Sequence, residues 1–263
     1  SGARLGHDTA YDHMFLDGLE DAYEEGRAMG TFAQETANEY QLTREQMDDY
    51  SIESLRRANA AIESGAFSGE VVPVTFTTRA GEQTVDTDEA PGKGKPDKIP
   101  QLRPAFAKDG TITAATSSSI SDGAAAVVLS RESVAKENGQ EPVAKIVAMA
   151  AHAQEPSEFT VAPVGAIEKV LKSAGWSADE VDLWEVNEAF ACVAMFAMRD
   201  IGIPHDKINV NGGGTALGHP IGASGTRIIV TLLNALKQQG KKRGVASLCI
   251  GGGEATAVAV EMV

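Results

Sequence analysis

The sequence has 263 residues, of which 43% are hydrophobic, enough to fill the core of one large domain or two ordinary ones. Its formal net charge is −14, and the acidic residues are spread along the chain, which argues against nucleic-acid backbones and anionic membranes as partners. The only two cysteines, Cys192 and Cys249, are far apart, a spacing that favours neither a disulfide framework nor a zinc site.

Cellular location is predicted from what the sequence lacks. No apolar run reaches the roughly 20 residues that span a bilayer, and residues 1–8 contain no signal-peptide core. With so few cysteines, a reducing cytoplasmic compartment is expected. The first residue is Ser rather than Met, which is typical of a fragment or a processed chain.

The first predicted elements are two helices within residues 22–65, a stretch rich in Ala, Glu, Gln and Arg. Thr43, with a glutamine three residues later, is typical of a helix N-cap with a capping box, and Gly65 is typical of a helix end. Residues 71–76 predict a short strand, and residues 77–101, which mix charged residues with Pro and Gly, predict an exposed excursion. This region resembles an insertion more than a compact domain.

The rest of the chain predicts an α/β fold. Residues 124–129 are a small-residue apolar run typical of a strand buried on both faces. The strands expected after it are residues 143–150, 181–186, 208–210, 244–250 and 255–263, and the helices are residues 164–174, 189–200 and 223–239. This alternation predicts a mixed five-stranded sheet between helices. The short connection at residues 251–254 makes the last two strands an antiparallel hairpin.

Three motifs lie at the carboxyl ends of predicted strands, where open α/β sheets bind their ligands. The first is residues 187–190, Asn-Glu-Ala-Phe. The second is the glycine-rich segment at residues 209–225, which contains His219, and the third is residues 248–254, which contains Cys249. Their shared position in the sheet predicts a functional site.

Each motif also has a plainer interpretation. Asn187 is suited to be a helix N-cap, a lone histidine such as His219 is usually structural, and a cysteine in a buried strand is usually a core residue. Alternatively, an amide can polarise a carbonyl, and a thiol beside an imidazole can act as nucleophile or as acid and base, because the imidazole shifts the thiol–thiolate balance. Cys192 is predicted to be a core residue. From the residues alone, we predict an α/β enzyme with a thiol–imidazole site.

The three motifs closely resemble the C-terminal signatures of thiolases. Further thiolase-like landmarks, in the family's order, are residues 17–19, 29–30, 67, 70–74, 102–106 and 121–125. The resemblance implies the thiolase fold, with two similar βαβαβαββ halves and a mainly helical loop domain that covers coenzyme A. It assigns residues 1–111 to the loop domain, residues 112–131 to remnant strands of the N-terminal half, and residues 132–263 to the C-terminal half.

The resemblance also implies a reaction: two molecules of acetyl-CoA condense to acetoacetyl-CoA and free coenzyme A, or the reverse thiolysis, through an acyl group carried on a nucleophilic cysteine. His219 matches the histidine that activates this nucleophile and lines the oxyanion hole. Cys249 matches the acid/base cysteine, and Asn187 the asparagine that holds a water near the enolate oxygen. In the family the nucleophile precedes the loop domain, and no residue here matches it. We therefore expect no turnover from this chain alone.

Further residues match the coenzyme A site of the family. Ser118 matches the serine that contacts the pantetheine, and Gly251 lies in the loop that supports the oxyanion. The apolar wall of the pantetheine site matches Leu19, Met29, Phe106, Ala189 and Phe190. The lysines that would meet the phosphates, or else form a solvated loop, are Lys93, Lys95 and Lys98.

The partners implied are acetyl-CoA and acetoacetyl-CoA as substrates, with no cofactor, metal, nucleic acid or membrane, and a homodimer or homotetramer at full length. One alternative is a 3-ketoacyl-CoA thiolase that degrades longer chains, although Met29 before a glycine favours the short-chain enzyme. A second is a non-catalytic subunit that binds acyl-CoA. The intact trio of Asn187, His219 and Cys249 argues against it, because a binding subunit needs no proton-transfer pair.

Overall fold

A computed structural model describes residues 5–263. The strands are β1 (Val74–Thr78), β2 (Gly81–Val85), β3 (Ala144–Ala153), β4 (Leu183–Val186), β5 (Arg243–Ile250) and β6 (Glu254–Met262). The helices are α1 (Met29–Glu39), α2 (Arg44–Ser64), α3 (Glu89–Lys93), α4 (Glu132–Glu137), α5 (Ala162–Ala174), α6 (Ala191–Ile201), α7 (Gly214–Leu217) and α8 (Ser224–Gln239). Among these helices, none is long and apolar enough to cross a bilayer.

The main sheet has the strand order β3-β6-β5-β4. Strands β4 and β5 are parallel, whereas β6 is antiparallel to both of its neighbours. The predicted hairpin between β5 and β6 is confirmed, with Ile250 paired to Glu254. Its turn requires glycine, because Gly253 has a φ of +83° and a Cβ there would lie 2.3 Å from the Gln154 carbonyl oxygen.

The expected fifth strand is absent from the described sheet, so the prediction of five strands is wrong. Residues 208–210 make a single parallel bridge, between Ile208 and Trp184. Asn209 adopts a positive φ of 46°, and its side-chain amide accepts from the Val186 N–H at 2.9 Å and donates to the Val186 carbonyl at 2.8 Å. This side chain therefore satisfies the backbone groups of β4 that a fifth strand would pair.

The strand expected at residues 124–129 is also wrong. No strand forms in the described chain between residues 112 and 131, which contain only isolated bridges, and Val128 and Leu129 are 95% and 71% exposed. A strand buried on both faces needs strands beside it to pair its backbone, and no described strand lies there. The interpretation of residues 112–131 as remnant strands therefore fails, and the three domain boundaries stay a prediction.

Helices cover both faces of the main sheet, as predicted. Helices α5 and α6 enclose the larger core, which contains Trp184 and Phe196, and α8 covers the opposite face through Leu232. Neighbouring residues of β4 point to opposite sides, since Leu183 joins the core under α8 and Trp184 joins the larger one. The sheet is therefore a rigid support whose strand ends carry the site.

The N-terminal helices share the larger core. Phe32 on α1 and Met47 on α2 are fully buried against it. The predicted capping box of α2 is confirmed, because the Thr43 hydroxyl accepts from the Gln46 N–H at 3.2 Å and the Gln46 side chain accepts from the Thr43 N–H at 2.9 Å. The helix ends at Gly65 with a φ of 73°, also as predicted.

The strand expected at residues 71–76 forms as β1, slightly later in the chain. It pairs antiparallel with β2, which lies inside the predicted excursion. Nearly all residues of this hairpin are exposed. The hairpin therefore stands apart from the main sheet.

Candidate active site

Asn187 and Cys249 meet at one edge of the main sheet. Asn187 directly follows β4, and Cys249 is the next-to-last residue of β5. Because the two strands are parallel, their carboxyl ends lie together. The Asn187 N–H donates to the Ser247 carbonyl at 2.9 Å, two residues before Cys249.

His219 reaches the same edge from the loop after α7. Gly218 precedes it with a φ of 96°, and the His219 N–H donates to the Ser119 carbonyl at 3.0 Å. The half-buried imidazole places its Nε2 atom 3.4 Å from Asn187 Nδ2. On the other side of the ring, Nδ1 lies 2.6 Å from the Ser224 hydroxyl oxygen.

Asn187 is not a helix cap, so the plainer interpretation of this residue is wrong. Helix α6 begins at Ala191, and Phe190 is its N-cap. The Asn187 side chain is fully buried, and its Oδ1 atom has no hydrogen-bond partner among the described residues. A buried amide oxygen without a partner is costly, so this oxygen is available to a bound molecule.

Burial keeps the thiol and the imidazole uncharged. It lowers the pKa of His219 to about 4, with a smaller contribution from the positive charge of Arg227, and it raises the pKa of Cys249 to about 12. At neutral pH the site therefore holds a neutral imidazole and a protonated thiol. Burial, and not the imidazole, sets the direction of the pKa shift of Cys249, so the expected shift of the thiol–thiolate balance by the imidazole is not found.

Cys192 is the core residue that the sequence predicted. It is fully buried in α6 and packs in the larger core. Burial raises its pKa far above the ordinary value, and both cysteines are free thiols. Cys192 is therefore a poor nucleophile where it stands.

The predicted apolar wall borders Cys249. Met29 and Phe190 are buried in one cluster with Cys249, and Phe106 packs against that cluster. The Phe106 and Phe190 rings meet edge to face with centroids 5.9 Å apart. Gly30 permits this packing, because a Cβ there would lie 2.1 Å from the Phe106 ring.

The other predicted contacts lie around this wall. Ala189 packs against the larger core, and a Cβ on Gly251 would be 3.4 Å from the Met29 sulfur. Both the N–H and the hydroxyl of Ser118 donate to the Ala189 carbonyl, at 2.9 and 3.0 Å. Leu19 is half-buried and ends a short helical turn outside this cluster.

The predicted lysines are exposed. Lys93 lies 3.6 Å from Glu89 on the same exposed face of α3, and Lys95 and Lys98 are solvent-exposed nearby. This arrangement fits phosphate contacts and a solvated loop equally well.

Sequence reasoning missed the part played by Glu188. Its side chain is fully buried, and its carboxylate accepts hydrogen bonds from side chains of three separate segments. The donors are the Tyr50 hydroxyl (2.8 Å), the Ser54 hydroxyl (2.8 Å), Asn209 Nδ2 (2.8 Å) and Thr215, through its hydroxyl (2.7 Å) and its N–H (3.1 Å). A carboxylate beside a predicted buried strand was the available signal. Glu188, the residue next to Asn187, thereby links α2 and α7 to the segment that follows β4.

Sequence reasoning also missed the contact between Ser224 and His219. The hydroxyl lies five residues after the histidine, and only the fold of the loop brings the two together.

Among the described residues, no group of three or more His, Cys, Asp and Glu side chains is arranged to hold a metal ion. A thiol and an imidazole at one edge of the sheet support acid/base chemistry.

The chain matches two family profiles: "Thiolase, N-terminal domain" over residues 1–133 and "Thiolase, C-terminal domain" over residues 140–262. It is 48% identical over 261 residues to a probable acetyl-CoA acetyltransferase of Dictyostelium discoideum, a match that covers 99% of this chain and 63% of the relative. The chain thus spans just under two thirds of that protein.

Solved structures of an acetyl-CoA acetyltransferase and of a thiolase also match the chain. The crystal structure of the Bacillus anthracis acetyl-CoA acetyltransferase matches with a TM-score of 0.93 at 39% identity, covering 100% of this chain and 66% of that one. A thiolase of Ascaris suum in complex with coenzyme A matches with a TM-score of 0.88 at 39% identity, covering 100% and 67%. Two family profiles match the chain, the sequence matches cover nearly all of its residues, and its fold is shared with solved thiolases. This chain therefore belongs to the thiolase family.

Proposed function

We propose that this protein is an acetyl-CoA acetyltransferase, which condenses two molecules of acetyl-CoA to acetoacetyl-CoA and coenzyme A and catalyses the reverse thiolysis. The observation that carries the proposal is the contact between Asn187 Nδ2 and His219 Nε2, which lie 3.4 Å apart. It is found at the edge of the sheet where Cys249 is the next-to-last residue of β5. The Dictyostelium relative, a probable acetyl-CoA acetyltransferase, and the Bacillus acetyl-CoA acetyltransferase support this substrate class.

In the proposed first half-reaction, His219 Nε2 takes the proton of a nucleophilic thiol, so that an S–H bond breaks and an N–H bond forms. The thiolate attacks the carbonyl carbon of acetyl-CoA and expels coenzyme A as a thiolate. Cys249 protonates this leaving group. The products are an acyl thioester on the protein, an imidazolium at His219 and a thiolate at Cys249.

The second half-reaction uses this ion pair. The Cys249 thiolate removes an α-proton from the second acetyl-CoA, and the electron pair moves to the carbonyl oxygen. The imidazolium N–H and a water held by Asn187 Oδ1, which has no partner among the described residues, stabilise the enolate. The enolate carbon attacks the acyl thioester, a C–C bond replaces a C–S bond, and the released thiolate recovers its proton from His219.

We propose that the nucleophile comes from outside these 263 residues. The sequence contains two cysteines, of which Cys249 has the acid/base position and Cys192 is buried in α6. We propose that the apolar wall of Met29, Phe106 and Phe190 holds the pantetheine of coenzyme A, the ligand with which the Ascaris relative was solved. Homo-oligomer formation and a cytoplasmic location belong to the same proposal.

Two assays test the proposal in parts. The first follows deuterium exchange at the acetyl methyl of acetyl-CoA in heavy water by NMR, with the 263-residue chain alone. Without the nucleophile, exchange depends on the small fraction of Cys249 that is thiolate at rest, so we expect a slow rate that exceeds the rate without protein, and we expect Cys249→Ala to abolish this excess. Cys192→Ala is the matched control and should retain it.

The second assay measures thiolysis of acetoacetyl-CoA by the complete gene product and by this chain. We expect turnover from the gene product and none from the chain. A gene product that prefers 3-ketoacyl-CoA substrates with long chains would replace the proposal with the degradative thiolase. A gene product that binds acyl-CoA without exchange or turnover would establish the non-catalytic subunit instead.

A further inference from the structure

The glycine turn that follows Cys249 is bordered by three different groups. Residues 251–253 are all glycine. A Cβ atom built on each of them would meet a different neighbour, so the neighbours mark the borders of the turn. They are the Met29 sulfur, 3.4 Å from the Cβ at Gly251, the Tyr23 ring, 3.7 Å from the Cβ at Gly252, and the Gln154 carbonyl oxygen beside Gly253.

Tyr23 differs from the other two groups because it faces solvent. It is 74% exposed, whereas Met29 is buried and the Gln154 contact is made by backbone. The Gln154 N–H also donates to the Gly253 carbonyl at 3.0 Å, which fixes that border. Of the three borders, the one at Tyr23 is therefore where a bound molecule could leave the turn for solvent.

The backbone that carries Tyr23 is held in place. Asp21 Oδ2 accepts from the N–H groups of Tyr23 and Glu24, at 2.9 and 2.8 Å. The Asp21 N–H donates to the Arg27 carbonyl at 2.8 Å, which joins the two ends of this segment. The Arg27 guanidinium lies 3.8 Å from the centroid of the buried Phe32 ring on α1. The exposed ring of Tyr23 therefore extends from a fixed backbone.

The gap between the Tyr23 ring and the glycine turn is too narrow for an acyl chain. A separation of 3.7 Å is ordinary contact between carbon atoms, so a single methyl group on Gly252 would fill the gap. A methylene chain that passed between them would need contact distance on both sides, about 7–8 Å in all. The ring of Tyr23 thus closes this border.

The segment at residues 20–28 is unsuited to the charged end of coenzyme A. Its one basic residue, Arg27, lies in ion pairs with Glu24 and Glu35. Its acidic residues are Glu20, Asp21, Glu24 and Glu25. Because these carboxylates repel phosphate groups, the part of a coenzyme A thioester that suits this border is the uncharged acyl chain.

We propose that Tyr23 is a specificity-determining residue that limits the length of the acyl chain, so that the site accepts acetyl and acetoacetyl groups and excludes longer ones. The inference rests on the proposed function and deepens it. In the proposed reaction the acyl group reacts beside Cys249, and a longer chain would extend past the glycine turn. Tyr23 closes the border through which that chain would reach solvent.

The test compares thiolysis of acetoacetyl-CoA and of 3-ketooctanoyl-CoA, a substrate with eight acyl carbons, by the complete gene product. Tyr23→Ala opens the gap and should raise kcat/KM for the longer substrate by about 10-fold or more, because each accommodated methylene contributes to binding. It should change kcat/KM for acetoacetyl-CoA by less than about threefold. Since Tyr23 is exposed, the variant should fold as the wild type does.

Two variants serve as controls. Tyr23→Phe keeps the ring, so it should keep the wild-type ratio of the two kcat/KM values. Tyr11→Ala removes a tyrosine that is also 74% exposed and should likewise leave the ratio unchanged. If Tyr23→Ala leaves the ratio unchanged, the inference is wrong. It is also wrong if the wild type cleaves both substrates equally well, because Tyr23 would then exclude nothing.

Failure of the proposed function has a different signature. A gene product that cleaves neither substrate contradicts the proposed function, and calorimetric binding of octanoyl-CoA and acetyl-CoA then tests Tyr23 without turnover. Tyr23→Ala should increase the affinity for octanoyl-CoA relative to acetyl-CoA by about 10-fold. An unchanged relative affinity overturns the inference.

Discussion

Cys249 and His219 share an apolar edge of the sheet, and burial suppresses charge on both. The pKa of Cys249 is raised to about 12 and that of His219 is lowered to about 4, so neither group titrates near neutral pH. In the proposed cycle the charged pair appears only after the first acyl transfer. The resting site is therefore protected against oxidation and alkylation, which attack thiolates.

This charge state predicts the pH dependence of α-proton exchange by the chain alone. With the pKa of Cys249 at about 12, the thiolate fraction rises tenfold per pH unit below that value. Exchange of the acetyl-CoA methyl protons should therefore increase about tenfold per unit from about pH 7 to about pH 10. A plateau near neutral pH, measured by NMR, would show that another group is the base.

Glu185 predicts a pH dependence of stability. It is fully buried in β4, and burial raises its pKa from 4.5 to about 8 although Arg227 lies 3.4 Å away. The folded chain thus retains a proton that the unfolded chain releases above about pH 4.5, so this contribution to stability is lost as pH rises towards 8.

Glu185→Gln copies the protonated form and should remove that loss. Urea unfolding at about pH 5.5 and about pH 8.5 should show the wild-type chain losing free energy of unfolding relative to the variant as pH rises. Glu63→Gln, on the exposed face of α2, is the control and should show no such difference. Parallel pH profiles for wild type and Glu185→Gln would contradict the assignment.

Glu188 predicts a large cost for a small change. Its carboxylate accepts hydrogen bonds from Tyr50, Ser54, Asn209 and Thr215. In Glu188→Gln the N–H groups of the new amide would face some of these donors. We expect a loss of about 2–4 kcal/mol in the free energy of unfolding, measured with urea. Tyr50→Phe removes one donor and should cost about 1–2 kcal/mol. Equal losses for the two variants would argue against the carboxylate as the organising group.

At the scale of elements, α2 connects the N-terminal region to the site. Its capping box fixes where the helix begins, and Tyr50 and Ser54 follow within three turns. We expect Thr43→Ala to lower the free energy of unfolding by about 1 kcal/mol, because the first-turn N–H loses its acceptor. Thr87→Ala, at an exposed loop position, should change it by less than about 0.5 kcal/mol. An equal effect of both changes would show that the cap contributes nothing.

Sequence patterns predicted the elements whose signals are local. The capping box of α2, the extent of α8 and the short connection between β5 and β6 all depend on residues close together in the chain. The missing fifth strand depends on the Asn209 side chain replacing a backbone ladder, which apolar periodicity does not reveal. Likewise, an apolar run such as residues 124–129 indicates burial only where other strands pair with it.

In the candidate site, too, some features could be predicted from the sequence and others could not. Asn187 and Cys249 could be placed together because both lie at the carboxyl ends of predicted strands, and parallel strands end at one edge. His219 was located by its resemblance to a thiolase signature. The contacts of Ser224 and Glu188 depend on side-chain directions after loops fold back, so no spacing rule predicted them.

At the scale of the whole molecule, an apolar stretch at residues 120–129 is exposed to solvent. Ile120, Val128 and Leu129 are 66%, 95% and 71% exposed. Exposed apolar stretches of this kind promote association. Since Val128 contacts little of the folded chain, Val128→Lys should change the free energy of unfolding by less than about 0.5 kcal/mol and reduce self-association in sedimentation velocity runs.

The matched control for this prediction is Val72→Lys, because Val72 is 79% exposed before the β1–β2 hairpin. It should reduce self-association less than Val128→Lys. If the two substitutions act equally, association is not localised to residues 120–129. A large loss of stability in Val128→Lys would show instead that this stretch packs in the folded chain.

The hydrogen bonds of Glu188 also constrain the order of folding. Tyr50 and Ser54 precede their shared acceptor by 138 and 134 residues, so a very long loop must close before either bond forms. During synthesis α2 leaves the ribosome long before Glu188 is translated, and until then its two hydroxyls face water. Non-local contacts of this kind form late and slowly. The hydrogen bonds that support the candidate site can therefore form only after residue 188 has been synthesised.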